Sequence, residues 1–334
     1  MKEKRAGLKI IGGVAAGVLF YLYFLSAYNG YRFHREKETR FMMDTYVAIT
    51  GIGPKYLNSK AISLAFGRIR EIDEKFNFLN SKSPLYAFNN EGKPITDPEV
   101  VDLIKKALDV YRESEGAFDI TVAPIVSLWG FYDKEFRLPS DGQIQAALRY
   151  VGSQHLKVNA GVVEKDDPRV KIDLGGIAKG YAVQEALKIL NAQGLKSALI
   201  DAGGDVYALG MKGRKLWHIG IKDPRADGLL GYVKVKDVAV MGSGDYERFF
   251  MKDDKRYHHI IDPRTGYPTQ GIAGVTLIYS DPVLAQAWTK VVFVHGVKKG
   301  LALLRRLPEM EAIVAKDSGE IECSAGCSRV LNKL

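Results

Sequence analysis

The chain predicts an α+β fold. The expectation is one large domain of mainly antiparallel sheets with packed helices, preceded by an N-terminal membrane segment. Three observations carry that reading. Helical periodicities cluster early in the chain, strand-like alternation dominates after residue 197, and an uncharged apolar run occupies residues 10–27. Helices followed by strands, rather than a regular alternation of the two, argue against a βαβ array.

The apolar run is "IIGGVAAGVLFYLYFLSA", from Ile10 to Ala27, behind a basic region 1–9 that holds Lys2, Lys4, Arg5 and Lys9. A bilayer needs roughly 20 apolar residues, so the run is about long enough to span. Tyr21, Tyr23 and Tyr28 gather at its distal end, where interfacial aromatics lie. The same pattern fits a signal peptide, although Leu25 is a poor small residue three places before a cut after Ala27. The run is therefore expected to be a signal anchor or a signal peptide. The rest of the chain would then face the periplasm or the cell exterior. Residues 28–42 read as a charged linker and 43–334 as the folded domain.

A strand is expected at Tyr46–Thr50. Apolar spacing at Ala61, Ile62, Ala65, Ile69 and Ile72 predicts an amphipathic helix over 58–75. A second helix is expected over 98–115, with Asp97 as its cap, Pro98 in its first turn and Gly116 at its end. A third spans about 176–192. Strand-like runs follow, among them "WHIGI", "GVTLIY" and a single alternating run, "YVKVKDVAVM". One apolar segment, "LAQAWTKVVFVHG" (284–296), is interrupted by Gln286, Thr289 and Lys290 within one helical turn.

Net charge is +9, which suggests a nucleic-acid partner until it is divided by region. Residues 1–40 hold eight Lys/Arg and three Glu, giving +5, so residues 41–334 carry only +4. Basic residues are not interleaved with aromatics there, and nucleic acid is not an expected partner. The two cysteines, Cys323 and Cys327, allow at most one disulfide and lack the further ligands of a structural zinc site.

Four segments are denser in glycine and polar residues than packing requires: "GAFDITVAP" (116–124), "DLGGIAKGYA" (173–182), "GSGDYERFF" (242–250) and "RYHHIIDPRTGYP" (256–268). In the second, Asp173 ends a strand-like stretch and Gly175–Gly176 open a helix, whose free N–H groups suit an anion. Lys179 lies on the first turn, within reach of a phosphate. In the fourth, His258 and His259 are adjacent, so on a strand they face opposite ways and only one enters a given site. A histidine beside a carboxylate such as Asp262 can act as a base. Arg248 is a candidate anion contact or a surface ion pair. None of the four is a Ser-His-Asp triad, a metalloprotease helix or a nucleotide loop. The residues alone describe an exported or anchored α+β protein that binds an anionic ligand.

Taken in order, these segments resemble the ApbE-type FAD:protein FMN transferases. The resemblance begins at "MDTYV" (43–47), where Asp44 replaces the family's Gly. It continues through "ESEGAFDITVAPIVSLWGF" (113–131), "DLGGIAKGYA", "DAGGDVYALG" (201–210), "WHIGIKDP" (217–224), "GSGDYERFF" and "HHIIDPRTGYP". It implies FAD as substrate, transfer of its FMN half to a Thr hydroxyl of a target protein, release of AMP, and use of Mg²⁺. It places FAD contacts on Met43, Ala117, Phe118, Asp119, Asp173 and Lys179, and it puts His259 by the pyrophosphate as base. The residues themselves add Arg248 as a further FAD contact, and Asp262 and Lys290 as candidate participants in the reaction. The backbone of Gly176 would be one metal contact.

At the family's remaining metal positions the chain departs. The pattern Ala-Asp-Ala-x-x-Thr reads Ala285-Gln286-Ala287-Trp288-Thr289-Lys290 here. Mg²⁺ prefers hard oxygen ligands, including a carboxylate. Gln286 offers at most a neutral carbonyl, and Lys290 offers a charge of the wrong sign. Mg²⁺ with one Asp sums to +1, as does Lys⁺ with Gln. Three expectations stay open: Lys290 replaces the ion, the protein binds flavin without transferring it, or Lys290 extends to solvent. Thr289 offers a displaced ligand, which leaves a weakened metal site open as well. The chain lacks a Ser/Thr-rich target pattern of its own, so the target is expected to be another protein.

Overall fold

Helices and strands sort into layers around one eight-stranded sheet. The computed structural model describes residues 17–23, 34–327 and 331–332. Of the N-terminal apolar run, residues 17–23 are helical and exposed, and the remainder lies outside the described residues. Among the described residues no helix is long and apolar enough to cross a membrane.

The strands are β1 (His34–Met42), β2 (Thr45–Gly53), β3 (Leu156–Asn159), β4 (Val162–Lys165), β5 (Ala198–Ala202), β6 (Asp205–Leu209), β7 (Trp217–Lys222), β8 (Leu229–Val235), β9 (Val238–Gly244), β10 (Phe249–Lys252), β11 (Lys255–His258), β12 (Ile272–Tyr279), β13 (Glu311–Lys316), β14 (Ile321–Cys323) and β15 (Leu331–Asn332). The large sheet runs β1-β2-β5-β6-β9-β12-β13-β14, with every neighbouring pair antiparallel. A small sheet, β15-β8-β7, covers part of one face. The pairs β3–β4 and β10–β11 stand apart as hairpins.

Two sequence expectations are corrected here. Residues 34–42, read as linker, form edge strand β1, "HREKETRFM", paired with β2 along its whole length. Its alternate residues are exposed, and charge on an outer strand discourages further pairing, so an edge strand resembles linker in composition. The run "YVKVKDVAVM" is not one strand. It divides at Asp237, whose φ of 55° turns the chain, and its halves enter different sheets as β8 and β9. The Asp237 carboxylate accepts the Gly210 N–H at 2.7 Å and holds that turn.

The helices are α1 (Lys55–Phe76), α2 (Pro98–Glu113), α3 (Ala123–Leu128), α4 (Asp141–Leu148), α5 (Ala178–Ala192) and α6 (Pro282–Leu304). α1 buries Ala61, Ile62, Ala65, Ile69 and Ile72, the stripe read from the sequence. Asp97 caps α2 by accepting from the Glu99 and Val100 N–H groups. The first half of α6 is buried all round, as befits a helix inside a core, and Gly296 (φ 75°, ψ 170°) breaks the rod. The main core fills the space between the large sheet and α1, α5 and α6. A second cluster, around Trp217, Val233 and Ile313, fills the opposite face under β7 and β8. A third gathers Ile125, Trp129, Phe131 and Ile144 beneath β10–β11. Cys323 and Cys327 form a disulfide.

One contact sets where the site lies. α5 and α6 cross at Gly180, where an added Cβ would stand 2.3 Å from the Pro282 carbonyl oxygen. Only a residue without a side chain allows that approach. Gly67 on exposed α1 has open space instead. Gly180→Ala is expected to cost about 1–3 kcal/mol through backbone displacement. Gly67→Ala is expected to gain about 0.5–1 kcal/mol through helix propensity. Urea unfolding of both variants checks the contrast; similar effects would remove the crossing's special role.

Candidate functional site

The crossing brings the first turns of α5 and α6 together at the end of β9. A cavity opens there, in two lobes. One lobe, about 200 Å³, is lined by Ala117, Phe118, Asp119, Tyr132, Asp173, Gly176, Lys179, Arg248, His259, Gln286 and Lys290. The other, about 440 Å³, is lined by Met43, Asp44, Lys179, Arg248 and apolar residues of β7, β9, β12 and β13. Lys179, Gly242, Ser243, Glu247 and Arg248 border both. The lobes are therefore two parts of one groove.

Most residues singled out in the sequence meet here. Met43 and Asp44 form the two-residue turn between β1 and β2, with φ of 53° and 59°. A turn with both φ positive matches hairpin twist, and Asp tolerates it better than bulkier residues do. The Met43 N–H donates to Asp73 at 2.9 Å. Phe118 packs beside Gly176, where a Cβ would lie 3.0 Å from the ring. The Asp173 carboxylate accepts from the Gly175 N–H at 2.7 Å and from the Tyr132 hydroxyl at 2.7 Å, which fixes the turn into α5. Asp119 is buried, and it accepts from Thr121 and Ser153 through both backbone and hydroxyl groups. Its carboxylate therefore braces the loop behind the cavity.

His258 and His259 face opposite ways, as adjacency required. The His258 Nε2 sits 2.8 Å from the Thr269 carbonyl and its Nδ1 accepts from the Ile260 N–H, so it is a structural histidine. His259 lines the cavity. Its Nδ1 lies 3.3 Å from the Arg248 carbonyl, which can only accept, so Nδ1 carries the proton and Nε2 keeps its lone pair. Burial, with Arg248, His258 and Lys290 nearby, pushes its pKa down to about 3. The imidazole is neutral and poised to accept a proton.

Asp262 is not part of this arrangement. Its carboxylate accepts from the backbone and guanidinium of Arg264 and its N–H bonds the Tyr267 carbonyl, so it holds the turn that follows His259. The sequence rule that pairs a histidine with a nearby carboxylate fails because local turn geometry claims that carboxylate first. Thr289 is also withdrawn. It is fully buried, donates to the Gln286 carbonyl at 2.7 Å and shares a 2.8 Å hydrogen bond with Ser243.

Two members of the site escaped sequence reasoning. Asp205 is 1% exposed and lies 2.5 Å from the Lys179 Nζ, while its other oxygen accepts the Gly242 N–H at 3.0 Å. Its one signal was its place after Gly203–Gly204, in "DAGGDVYALG", a segment that carries the family resemblance. Tyr132 carried no signal beyond the aromatic run around it. Burial opposes the charge of Lys179, but Asp205 outweighs it and raises the pKa of Lys179. Burial pushes Lys290 down to about 8, although Asp205 and Glu247 pull the other way. Arg248 pairs with Asp44 at 2.9 Å across the groove mouth.

The donor set does not fit a divalent cation. The Gln286 Oε1 accepts the Gly180 N–H at 2.8 Å, which orients the amide. The group left over is Nε2, fully buried and without a partner. It is a hydrogen-bond donor and offers no lone pair to a metal. Lys290 adds a cation, and Thr289 is already engaged. Among the described residues no group of three or more His, Cys, Asp or Glu could hold a metal ion.

Comparison with known proteins agrees with the fold. The model of the ApbE family matches residues 43–314. An FAD:protein FMN transferase of Treponema pallidum is 32% identical over 287 residues, covering 76% of this chain and 79% of that protein. One from Klebsiella pneumoniae is 33% identical over 281 residues, covering 81% and 87%. The crystal structure of the ApbE protein from Thermotoga maritima superposes with a TM-score of 0.84 at 33% identity, covering 90% of this chain and all of that one. The flavin transferase ApbE from Vibrio cholerae gives 0.79 at 26%, covering 89% and all of that chain. The chain belongs to the ApbE family.

The state of His259 is directly measurable. Folded His259 takes a proton only near pH 3, against 6.5 ordinarily, so the folded state binds fewer protons between those values. Stability is therefore expected to fall as pH drops from 6.5 toward 3, and His259→Gln should flatten part of that slope. NMR of the imidazole should show no titration of His259 between about pH 5 and 8. A midpoint near 6.5 would contradict the assigned environment.

Proposed function

We propose that this chain is an FAD:protein FMN transferase. The observation that carries the reading is the groove itself. It unites Lys179, Arg248 and Lys290, the first turn of α5 and a neutral His259 around one slot that opens into a larger lobe of mixed lining. Cations and helix N–H groups suit a diphosphate, and the Ile219, Ile221, Val240 and Val275 side chains in the larger lobe suit a ring system. Relatives named as FAD:protein FMN transferases support the same assignment.

In this reading a hydroxyl oxygen of the target attacks the phosphorus on the FMN side of FAD. The new P–O bond forms as the bridging P–O bond breaks, and AMP leaves with that electron pair. The Nε2 of His259 takes the hydroxyl proton. A base with so low a pKa in the free protein is weak, but a bound diphosphate adds negative charge beside it and raises its affinity for the proton. Lys179, anchored by Asp205, stabilises charge building on the phosphates, and Arg248 can leave Asp44 to do the same. Asp173 and Tyr132 hold the α5 turn in place.

The target hydroxyl is assigned to a threonine of a separate protein. The apolar run at residues 10–27 supports a location outside the cytoplasm, with the chain anchored or exported. The resemblance implies Mg²⁺, but the donor set argues against a conventional Mg²⁺ site.

Incubation of the purified protein with FAD and a threonine-containing target peptide should yield an FMN adduct and free AMP by mass spectrometry. His259→Ala is expected to lower the rate about 10²- to 10⁴-fold while FAD binding changes little. FAD that binds yet stays intact with a competent target would sink the transferase reading in favour of flavin binding alone.

A further inference from the structure

Among the described residues Lys290 has no contact ion pair with a carboxylate, unlike Lys179 and Arg248 of the same groove. Lys179 is paired with Asp205 and Arg248 with Asp44. Among the described residues the only hydrogen bond of Lys290 is to the Gln286 carbonyl, at 3.2 Å. Asp205 and Glu247 act on it only through space, and a buried cation without a contact partner persists where a ligand supplies one. Beside it, the Gln286 Nε2 is also unpartnered, 0% exposed and part of the same cavity wall. The Gly180 N–H fixes that orientation, because it can only donate and therefore claims the Gln286 oxygen. Two residues with donors to spare, one of them charged, thus line one lobe. That is the chemistry of an anion subsite.

We infer that Lys290 and Gln286 form a diphosphate-binding subsite that takes over the charge-neutralising role of a divalent cation, so that FAD binding and turnover in this protein do not require Mg²⁺. The inference rests on the proposed use of FAD and deepens it. The ammonium supplies a point charge, and the amide supplies a neutral donor at a fixed angle. The α5–α6 crossing simply presents donors where lone pairs would otherwise stand.

The test is FAD binding by the purified full-length chain, measured by flavin fluorescence in EDTA and in millimolar Mg²⁺, with riboflavin as the diphosphate-free control. Wild-type affinity for FAD should differ by less than about threefold between the two conditions. Lys290→Met should weaken FAD about 10- to 100-fold in both, leaving riboflavin unchanged, and Lys290→Arg should retain most of the affinity. The double variant Gln286→Asp/Lys290→Thr should acquire an FAD affinity that rises with Mg²⁺. Loss of FAD binding in EDTA with recovery in Mg²⁺ would overturn the inference and leave the transferase assignment standing. So would a Lys290→Met protein that binds FAD as the wild type does. Failure of the wild type to bind FAD in either condition would remove the assignment itself. The wild-type comparison needs no variant to fold.

Discussion

The approach of α5 to α6 at Gly180 is the constraint on which the site depends. Without a Cβ at that position, two helix beginnings meet against the end of β9. The N–H of Gly180 is one of the four that a helix start leaves unpaired, and Gln286 satisfies it from the neighbouring helix. The same bond ties the helices together and decides which end of the Gln286 amide is left without a partner. Lys179 and Lys290 each lie one position before or four positions after these contacts. Both are therefore carried to the same wall.

The large sheet serves this arrangement from below. β9 ends at Gly244, and Ser243 just before it locks to Thr289 of α6. β6 delivers Asp205 under Lys179. The β1–β2 turn brings Met43 and Asp44 to the groove mouth, where Asp44 meets Arg248 from the segment before β10. Lys179 and Arg248 are each held by a carboxylate from a different element, and Lys290 is not. That asymmetry separates structural ion pairs from a cation available to a ligand.

Much of the fold was legible because local patterns and tertiary environment agree. The stripe of α1, the Asp97 cap of α2 and the alternation of β7 follow from period and capping chemistry. β1 was missed because an exposed edge strand and a charged linker have the same composition. The break at Asp237 was missed because alternation continues through it. A positive φ at a non-glycine residue leaves no mark on hydrophobic pattern.

The sequence by itself determined the family, the candidate base His259, and the oddity of Gln286 and Lys290 inside an apolar helix. Those features lie in residue identity and order. Only the tertiary structure decided what they do. It turned Asp262 to its own loop, withdrew Thr289 behind Ser243, and added Asp205 beneath Lys179. It also left the Gln286 N–H₂, and not its oxygen, without a partner. Hydrogen-bond partners compete through space. Whether a side chain is free to meet a ligand depends on which neighbours, distant along the chain, have already claimed its atoms.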